Sequence, residues 1–294
     1  MTQDATRRPN PDVATDDPER VPVRARVDDV TGSMPDRARA RGRWRLVAHT
    51  DWAAGVASIV AGVALWEAVV RVFDIPSRVI AAPTGVVGAL GEAIADGSLW
   101  PHLSSSLQGY VLGLLLAMLV GIPFGLVLGT SRMARRVLDP WVNAFYAVPM
   151  LALAPLIVVI FGFSISTKVA VVFTTCFFPI VINTQAGVRS TDTQILEVVG
   201  AFGATTGELF RHVYVPWSVP FVVAGVRLAV GRGLIGVVAA DLFGARAGLG
   251  LLLLQSAQLL RTDVILMVGV ILAALGVSLT AAVHALEERV SQWR

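Results

Sequence analysis

Glu197-Val-Val-Gly-Ala-Phe-Gly203, continuing through Ala204-Thr-Thr-Gly-Glu-Leu-Phe-Arg-His to Val213-Tyr-Val-Pro216, forms most of a long interval of mixed polar and apolar residues between two apolar segments of the chain. The sequence on either side of it reads as lipid-facing. A loop of this length has to be ordered against something, because fixing it costs conformational entropy that only contacts recover. Of the 294 residues, 55% are hydrophobic and 15% charged, which lies outside the range of a typical soluble domain on both counts. Apolar runs of roughly 20 residues recur, each long enough at about 1.5 Å per residue to cross a hydrocarbon core. These observations predict an all-α polytopic membrane protein, in which chain length counts spans rather than soluble domains.

Six spans are expected, near 53–73, 103–129, 141–162, 168–188, 218–243 and 264–286. Residues 1–50 differ in kind: Pro9, Pro11, Pro18, Pro22 and Pro35 alternate with Asp and Arg, the composition of a disordered, solvated tail. That tail does not read as a secretory signal, since the first apolar run begins only near Ala53. The domain division is therefore a tail over 1–50 and a membrane domain over 51–294, with its long loop at 189–217. Arg37, Arg39, Arg41, Arg43 and Arg45, then Arg132, Arg135 and Arg136, then Arg189 and Arg211, and finally Arg289 and Arg294 all fall on one side of the six spans. Short cytoplasmic loops are enriched in Arg and Lys, so both termini and the long loop are assigned to the cytoplasm of a multi-pass plasma (inner) membrane protein. Trp52, Trp100, Trp141 and Trp217 stand at span ends, where interfacial anchors belong. The formal charge of +3 follows from this Arg asymmetry and indicates topology, not nucleic-acid binding.

Several chemistries find no support. Cys176 is the only cysteine, which rules out an intrachain disulfide or a thiolate metal site. Lys168, the only lysine, follows Gly162-Phe-Ser-Ile-Ser-Thr, which is not a phosphate-cradling Gly-Lys-Ser/Thr loop. Gly231-Arg-Gly-Leu-Ile-Gly236 matches a dinucleotide fingerprint as a string, but it lies inside an apolar span and reads as helix packing. The four histidines are scattered and no catalytic constellation is visible.

Inside the spans, Gly109, Gly113, Gly121, Gly125 and Gly129 repeat at Gly-x-x-x-Gly spacing, which lets another backbone come close. Pro149-Met150 and Pro155 interrupt the third span; the carbonyls they free require that it bend and line protein or water. Phe178 stands in Phe177-Phe-Pro179, and Asn183 and Gln185 are either interhelical hydrogen-bonders or contacts along a pathway. Arg227, Arg232 and Asp241 make the fifth span the most charged, and such groups line a cavity or pair with one another. Pro149, Met150, Phe178, Asn183, Gln185, Arg227, Arg232 and Asp241 are thus the candidates for a translocation path.

In the loop itself, Thr191 and Gln194 have the spacing of a capping box for a helix through Phe202, with Gly203 breaking it. A second helix is expected from Thr205 or Thr206, ending ahead of Pro216. The pattern Glu197-Val-Val, three residues, Gly203, nine residues, Val213-x-Val215-Pro216 resembles the Glu-Ala-Ala loop of bacterial ABC importer permeases, with Val198 and Val199 in place of the alanines and valines in place of the Ile and Leu. Leu65-Trp-Glu67, Gly129-Thr-Ser-Arg132, Leu138-Asp-Pro-Trp141, Phe177-Phe-Pro-Ile180, Asn183-Thr184, Gly187-Val-Arg189, Gly225-Val-Arg-Leu228 and Gly248-Leu-Gly250 resemble, in order, the nitrate/sulfonate/taurine branch of that family.

The resemblance implies a type I importer fold in which two copies of the chain pair as a homodimer around a central path. It implies a separate ABC ATPase subunit that binds ATP and Mg and docks on the loop, a substrate-binding protein on the outer face, and no cofactor on this chain. Glu197, Val198, Val199, Gly200, Ala201, Phe202, Gly203, Ala204 and Pro216 carry the ATPase-coupling role by this resemblance, and the cargo is a small sulfonate-, taurine- or nitrate-like anion. The alternative from another class is an ion-coupled secondary transporter or channel using Asp241 and Arg232.

Overall fold

A computed structural model describes residues 37–291. The chain divides into two compact units, residues 1–63 and residues 64–294. The expected disordered tail lies outside the described residues up to residue 36, and from Arg37 the first unit is helical.

Among the described residues all regular structure is helical. In chain order the helices are α1 (Arg37–Val72), α2 (Pro83–Ala95), α3 (Leu99–Thr130), α4 (Arg132–Ala147), α5 (Ala154–Phe161), α6 (Ile165–Arg189), α7 (Thr193–Ala201), α8 (Thr206–Leu209), α9 (Val215–Gly244), α10 (Leu249–Gln258) and α11 (Thr262–Ser291). Five stretches are long and apolar enough to cross a membrane: Ala54–Val72, Leu99–Thr130, Ile165–Arg189, Thr206–Gly244 and Thr262–Ala285. A bent pair of helices is the sixth candidate. α4 and the segment Leu151–Phe161 meet at 79°, with Pro149 opening the intervening 3-10 turn and Pro155 in the first turn of α5. Proline lacks the N–H that would continue the helical ladder, so the break falls where the sequence places it. The start differs from expectation: Arg132 to Leu138 is helix, not loop, because the Ser131 hydroxyl accepts from the Ala134 N–H at 3.2 Å and caps α4 there.

α6 is the central helix, packed on α3 along one face and on α9 along the other. A Cβ added at Gly113 would sit 2.6 Å from the Val172 Cβ, and one at Gly125 2.7 Å from the Thr184 Cβ. Residue numbers rise together along this seam, so α3 and α6 run parallel. Along the other face a Cβ on Gly225 would meet Asn183 at 2.9 Å and one on Gly233 would meet the Cys176 Sγ at 2.8 Å, so α6 and α9 run antiparallel. Lipid supplies no hydrophobic drive between helices, and close backbone packing with interhelical hydrogen bonds takes its place. The Tyr110 hydroxyl donates to the Val230 carbonyl at 3.1 Å and the Cys176 thiol to the Ala229 carbonyl at 3.3 Å.

Glu67, a carboxylate in an otherwise apolar span, has an ordinary structural task. Its Oε2 accepts from the Thr84 N–H at 3.1 Å, and its Oε1 accepts from the Thr84 hydroxyl at 2.9 Å and pairs with the Arg71 Nε at 2.6 Å. The first turn of α2, which opens with Pro83, thereby gains an acceptor for one of its unpaired N–H groups.

If these seams hold the bundle, Gly113→Leu forces α3 and α6 apart and lowers the thermal unfolding midpoint in detergent by the equivalent of about 1–3 kcal/mol of overpacking. Gly88→Leu on α2, with nothing within 4 Å of its added Cβ, leaves the midpoint in place. Equal midpoints for the two variants would contradict the seam.

Candidate functional site

The long loop stands on a tied base. The Ser190 hydroxyl donates to the Gly187 carbonyl at 2.8 Å and accepts from the Trp217 Nε1 at 3.3 Å, which closes the loop where it leaves α6 and returns into α9. The cap of α7 is Asp192, whose Oδ1 accepts from the Gln194 N–H at 2.9 Å. It is not Thr191, whose hydroxyl turns back to the Val188 carbonyl at 2.8 Å and is buried. The short Asp side chain reaches the second helical N–H, so the capping role shifts by one residue.

The stop at Gly203 is as the sequence predicts. Gly203 has φ of +81°, its N–H donates to the Gly200 carbonyl at 2.9 Å, and the Ala204 N–H donates to the Val199 carbonyl at 3.4 Å. This pair of bonds is a Schellman turn, which places a left-handed residue after the last helical turn. A capping box then starts α8: the Thr205 hydroxyl accepts from the Glu208 N–H at 3.4 Å, and Glu208 Oε2 accepts from the Thr205 N–H at 2.8 Å. The second helix does not end ahead of Pro216. It passes through a π-helical turn at Phe210–Tyr214 straight into α9, with Pro216 in the opening turn of α9. Proline is tolerated there because its missing N–H belongs to the first helical turn.

None of the residues of α7 is buried. Val198 is 56% exposed and Phe202 88%, so the helix presents an apolar face away from the bundle. A recess of about 310 Å³ bounded by Asp192, Gln194, Ile195, Val198 and Val199 adjoins that face. Covering a side chain such as Phe202 is worth about 1.5–3 kcal/mol.

The path candidates fall into three places. Pro149, Phe178 and Arg232 come together around a cavity of about 280 Å³ at the break in the third span, with Arg232 lying 5.0 Å over the Tyr146 ring; Met150 belongs to the turn at that break. Asn183 and Gln185 lie away from it. The Asn183 Nδ2 donates to the Pro179 carbonyl at 2.8 Å, and the Gln185 Nε2 to the Asp139 Oδ1 at 2.7 Å, tying α6 to α4. Arg227 sits half-buried on α9.

Asp241 belongs to a buried polar network that the sequence did not reveal. Its Oδ1 lies 2.7 Å from the Lys168 Nζ, with side-chain exposures of 0% and 3%. Its Oδ2 accepts from the Ser106 hydroxyl at 2.5 Å and from the Gly250 N–H at 3.4 Å. Lys168 also donates to the Ser105 hydroxyl at 2.7 Å and to the Ala247 carbonyl at 2.5 Å, and the Gly248 N–H donates to the His102 Nδ1 at 3.1 Å. The network binds the loop between α9 and α10 to α3 and α6, at the end of the bundle opposite α7. The only lysine and a carboxylate in two apolar spans are a legible hint of pairing, but the spans that touch are not legible from one sequence. Asp241 thus pairs with Lys168, while Arg232 faces an aromatic ring.

A glycine-seamed bundle with five helices long and apolar enough to cross a membrane and a sixth candidate bent at its prolines, carrying an amphipathic helix on a tied loop, defines a polytopic membrane protein. The match of residues 121–292 to the model of the binding-protein-dependent transport system inner membrane component makes the relation specific: the chain belongs to that family. It is 29% identical over 260 residues to the taurine transport system permease protein TauC of Escherichia coli (strain K12), covering 87% of this chain and 94% of that protein. It is 33% identical over 231 residues to the putative aliphatic sulfonates transport permease protein SsuC of the same organism, covering 79% and 88%. It is 31% identical over 230 residues to the formylaminopyrimidine transport permease protein ThiX of Halalkalibacterium halodurans, covering 78% and 91%. A solved structure titled as an inward-facing conformation of the MetNI methionine ABC transporter superposes with a TM-score of 0.57 at 19% identity, covering 66% of this chain and 98% of that one. That likeness establishes the shared fold.

Lys168→Met strands the Asp241 carboxylate, and removing one partner of a buried pair costs about 3–5 kcal/mol. A clear drop in the unfolding midpoint is expected, with part of it recovered in the double variant Lys168→Met/Asp241→Leu. A single variant as stable as the parent would show that the pair does not hold the α9–α10 loop.

Proposed function

We propose that this chain is the membrane-spanning permease subunit of an ATP-binding-cassette importer that moves a small sulfonate- or taurine-like anion inward. The exposed apolar face of α7, ended by the left-handed turn at Gly203, carries the reading. It stands where the family's coupling motif falls in the sequence and has the chemistry of a surface awaiting another chain. The similarity to the taurine permease TauC and the aliphatic sulfonates permease SsuC supports the cargo class, and ThiX marks how far cargo varies among relatives at similar identity.

In this account a separate ATPase subunit, holding ATP and Mg, docks on Glu197 to Ala204, with Val198 and Phe202 as the apolar contact and Glu197 at its edge. A substrate-binding protein delivers the anion on the opposite face. Two copies of the chain surround the path in the plasma (inner) membrane, with both termini and the α6–α9 loop in the cytoplasm. Closure of the ATPase pair draws the two loops together and rocks the bundles as rigid bodies between two states. The α7 helix transmits that displacement to the core because its base is tied at Ser190 and Trp217 and because α8 runs without a stop into α9. No cofactor on the chain itself is required.

Gly203→Val tests it. A β-branched residue at φ of +81° is strained by about 1–3 kcal/mol, so the turn swings α8 away from its set direction. Uptake of radiolabelled taurine or ethanesulfonate into cells carrying the full operon is expected to fall roughly tenfold or more, with the amount of protein in the membrane unchanged. Uptake equal to the parent at equal protein would defeat the docking role.

A further inference from the structure

We propose that the cavity at the broken third span is an anion-binding site of the permease itself, in which the Arg232 guanidinium holds the oxyanion head of a short-chain organic anion. The proposal rests on the importer reading only for how the anion arrives.

Three elements meet there: the end of α4 with the turn that follows it, the middle of α6 and the middle of α9. The cavity, about 280 Å³, is lined by Tyr146, Pro149, Thr174, Thr175, Phe178 and Arg232 among others. Its size is near the lower end for small-molecule sites, which suits a ligand of a few heavy atoms. Arg232 lies well inside a span, where a cation is costly unless a counter-charge or water meets it. The ion pairs Glu67–Arg71, Lys168–Asp241, Arg261–Asp263 and His284–Glu288 do not involve Arg232. It lies 5.0 Å over the Tyr146 ring, which orients the guanidinium and stabilises it without neutralising it. No carboxylate lines the cavity, so a bound anion would supply the counter-charge.

The other polar groups sharpen the class of ligand. The Thr174 hydroxyl donates to the carbonyls of Ala170 and Val171, each at 3.0 Å, and that of Thr175 donates to Val171 at 2.7 Å. With their protons engaged by their own helix, these hydroxyls present acceptors, so Arg232 is left to hold the head group. A guanidinium fork matches two oxygens of a sulfonate or carboxylate at once, which the point charge of a lysine cannot do. The remaining wall is apolar, with Val148, Leu151 and Ile235, and suits a short alkyl tail. The site differs from the Lys168–Asp241 network, where both charges are already satisfied.

The full chain, purified with any co-purifying subunits and reconstituted in lipid nanodiscs, is titrated calorimetrically with ethanesulfonate, taurine and the neutral dimethyl sulfone. Ethanesulfonate and taurine are expected to bind and dimethyl sulfone not to. Arg232→Gln is expected to weaken binding of the two sulfonates roughly tenfold or more, and Arg232→Lys is expected to fall between that variant and the parent. Thermal midpoints of the variants identify any that fail to fold, and Tyr146→Leu, which removes the ring but keeps the cation, is expected to weaken binding by a smaller factor. No anion binding to the parent, equal binding to Arg232→Gln, or equal binding of dimethyl sulfone overturns the site. The presence of an ATPase subunit in the same preparations is scored separately: its absence counts against the importer reading, while anion binding alone decides the site.

Discussion

Everything in the second unit depends on how closely backbones approach along α6. Gly109, Gly113, Gly121, Gly125 and Gly129 of α3 open one face to it, and Gly225, Gly233 and Gly236 of α9 open the other. With Cβ atoms at these places the three helices would part by more than van der Waals contact allows. Lipid would not push them back together, because hydrocarbon solvates their side chains as well as protein does. Running parallel on one side and antiparallel on the other, the seams decide which span ends meet. At one end they gather Ser105, Ser106, Lys168 and Asp241; at the other they bring Ser190 to Trp217 and set the base of the α7 loop. The polar network and the α7 loop are therefore two ends of one packing arrangement.

Much of this was legible in one sequence, for physical reasons specific to each feature. The α3 glycines show a period of four that has few other uses in an apolar helix. The break in the third span was visible because proline removes a donor wherever it stands, and the turn at Gly203 because a glycine after a short amphipathic helix favours a left-handed cap. What was hidden depends on which elements touch. Glu67 reads as an anomaly until Thr84 is seen beside it, and Lys168 and Asp241 lie 73 residues apart in sequence. Pro216 was read as a stop because nothing local announces the π-helical turn that lets the helix continue. The shift of the α7 cap from Thr191 to Asp192 is smaller: both residue types cap helices, and the burial of Thr191 decided between them.

The distribution of order also divides the labour. The core around α6 is close-packed, with Val171, Val172, Cys176, Ile180 and Val181 fully buried, and such interiors transmit displacement rather than absorb it. α7 is the opposite, a helix with no buried residue whose C-capping Phe202 stands in the open. In the proposed mechanism the bundle is the rigid body and α7 its external handle. The cavity beside Arg232 lies at the bent helix pair, where the proposed force would alter what the bundle holds.

The most direct test of the central claim places a single reporter on that handle. Phe202→Cys adds one exposed thiol to a chain whose own Cys176 is buried. A short bifunctional cross-linker is then applied to inside-out membrane vesicles from cells expressing the whole transport system. The account predicts a covalent adduct whose second component is identified by mass spectrometry as a nucleotide-binding subunit, and no adduct from the unsubstituted chain. A thiol that reacts only from the outer face of sealed cells, or that yields no ATPase adduct while the subunit is present, would contradict it.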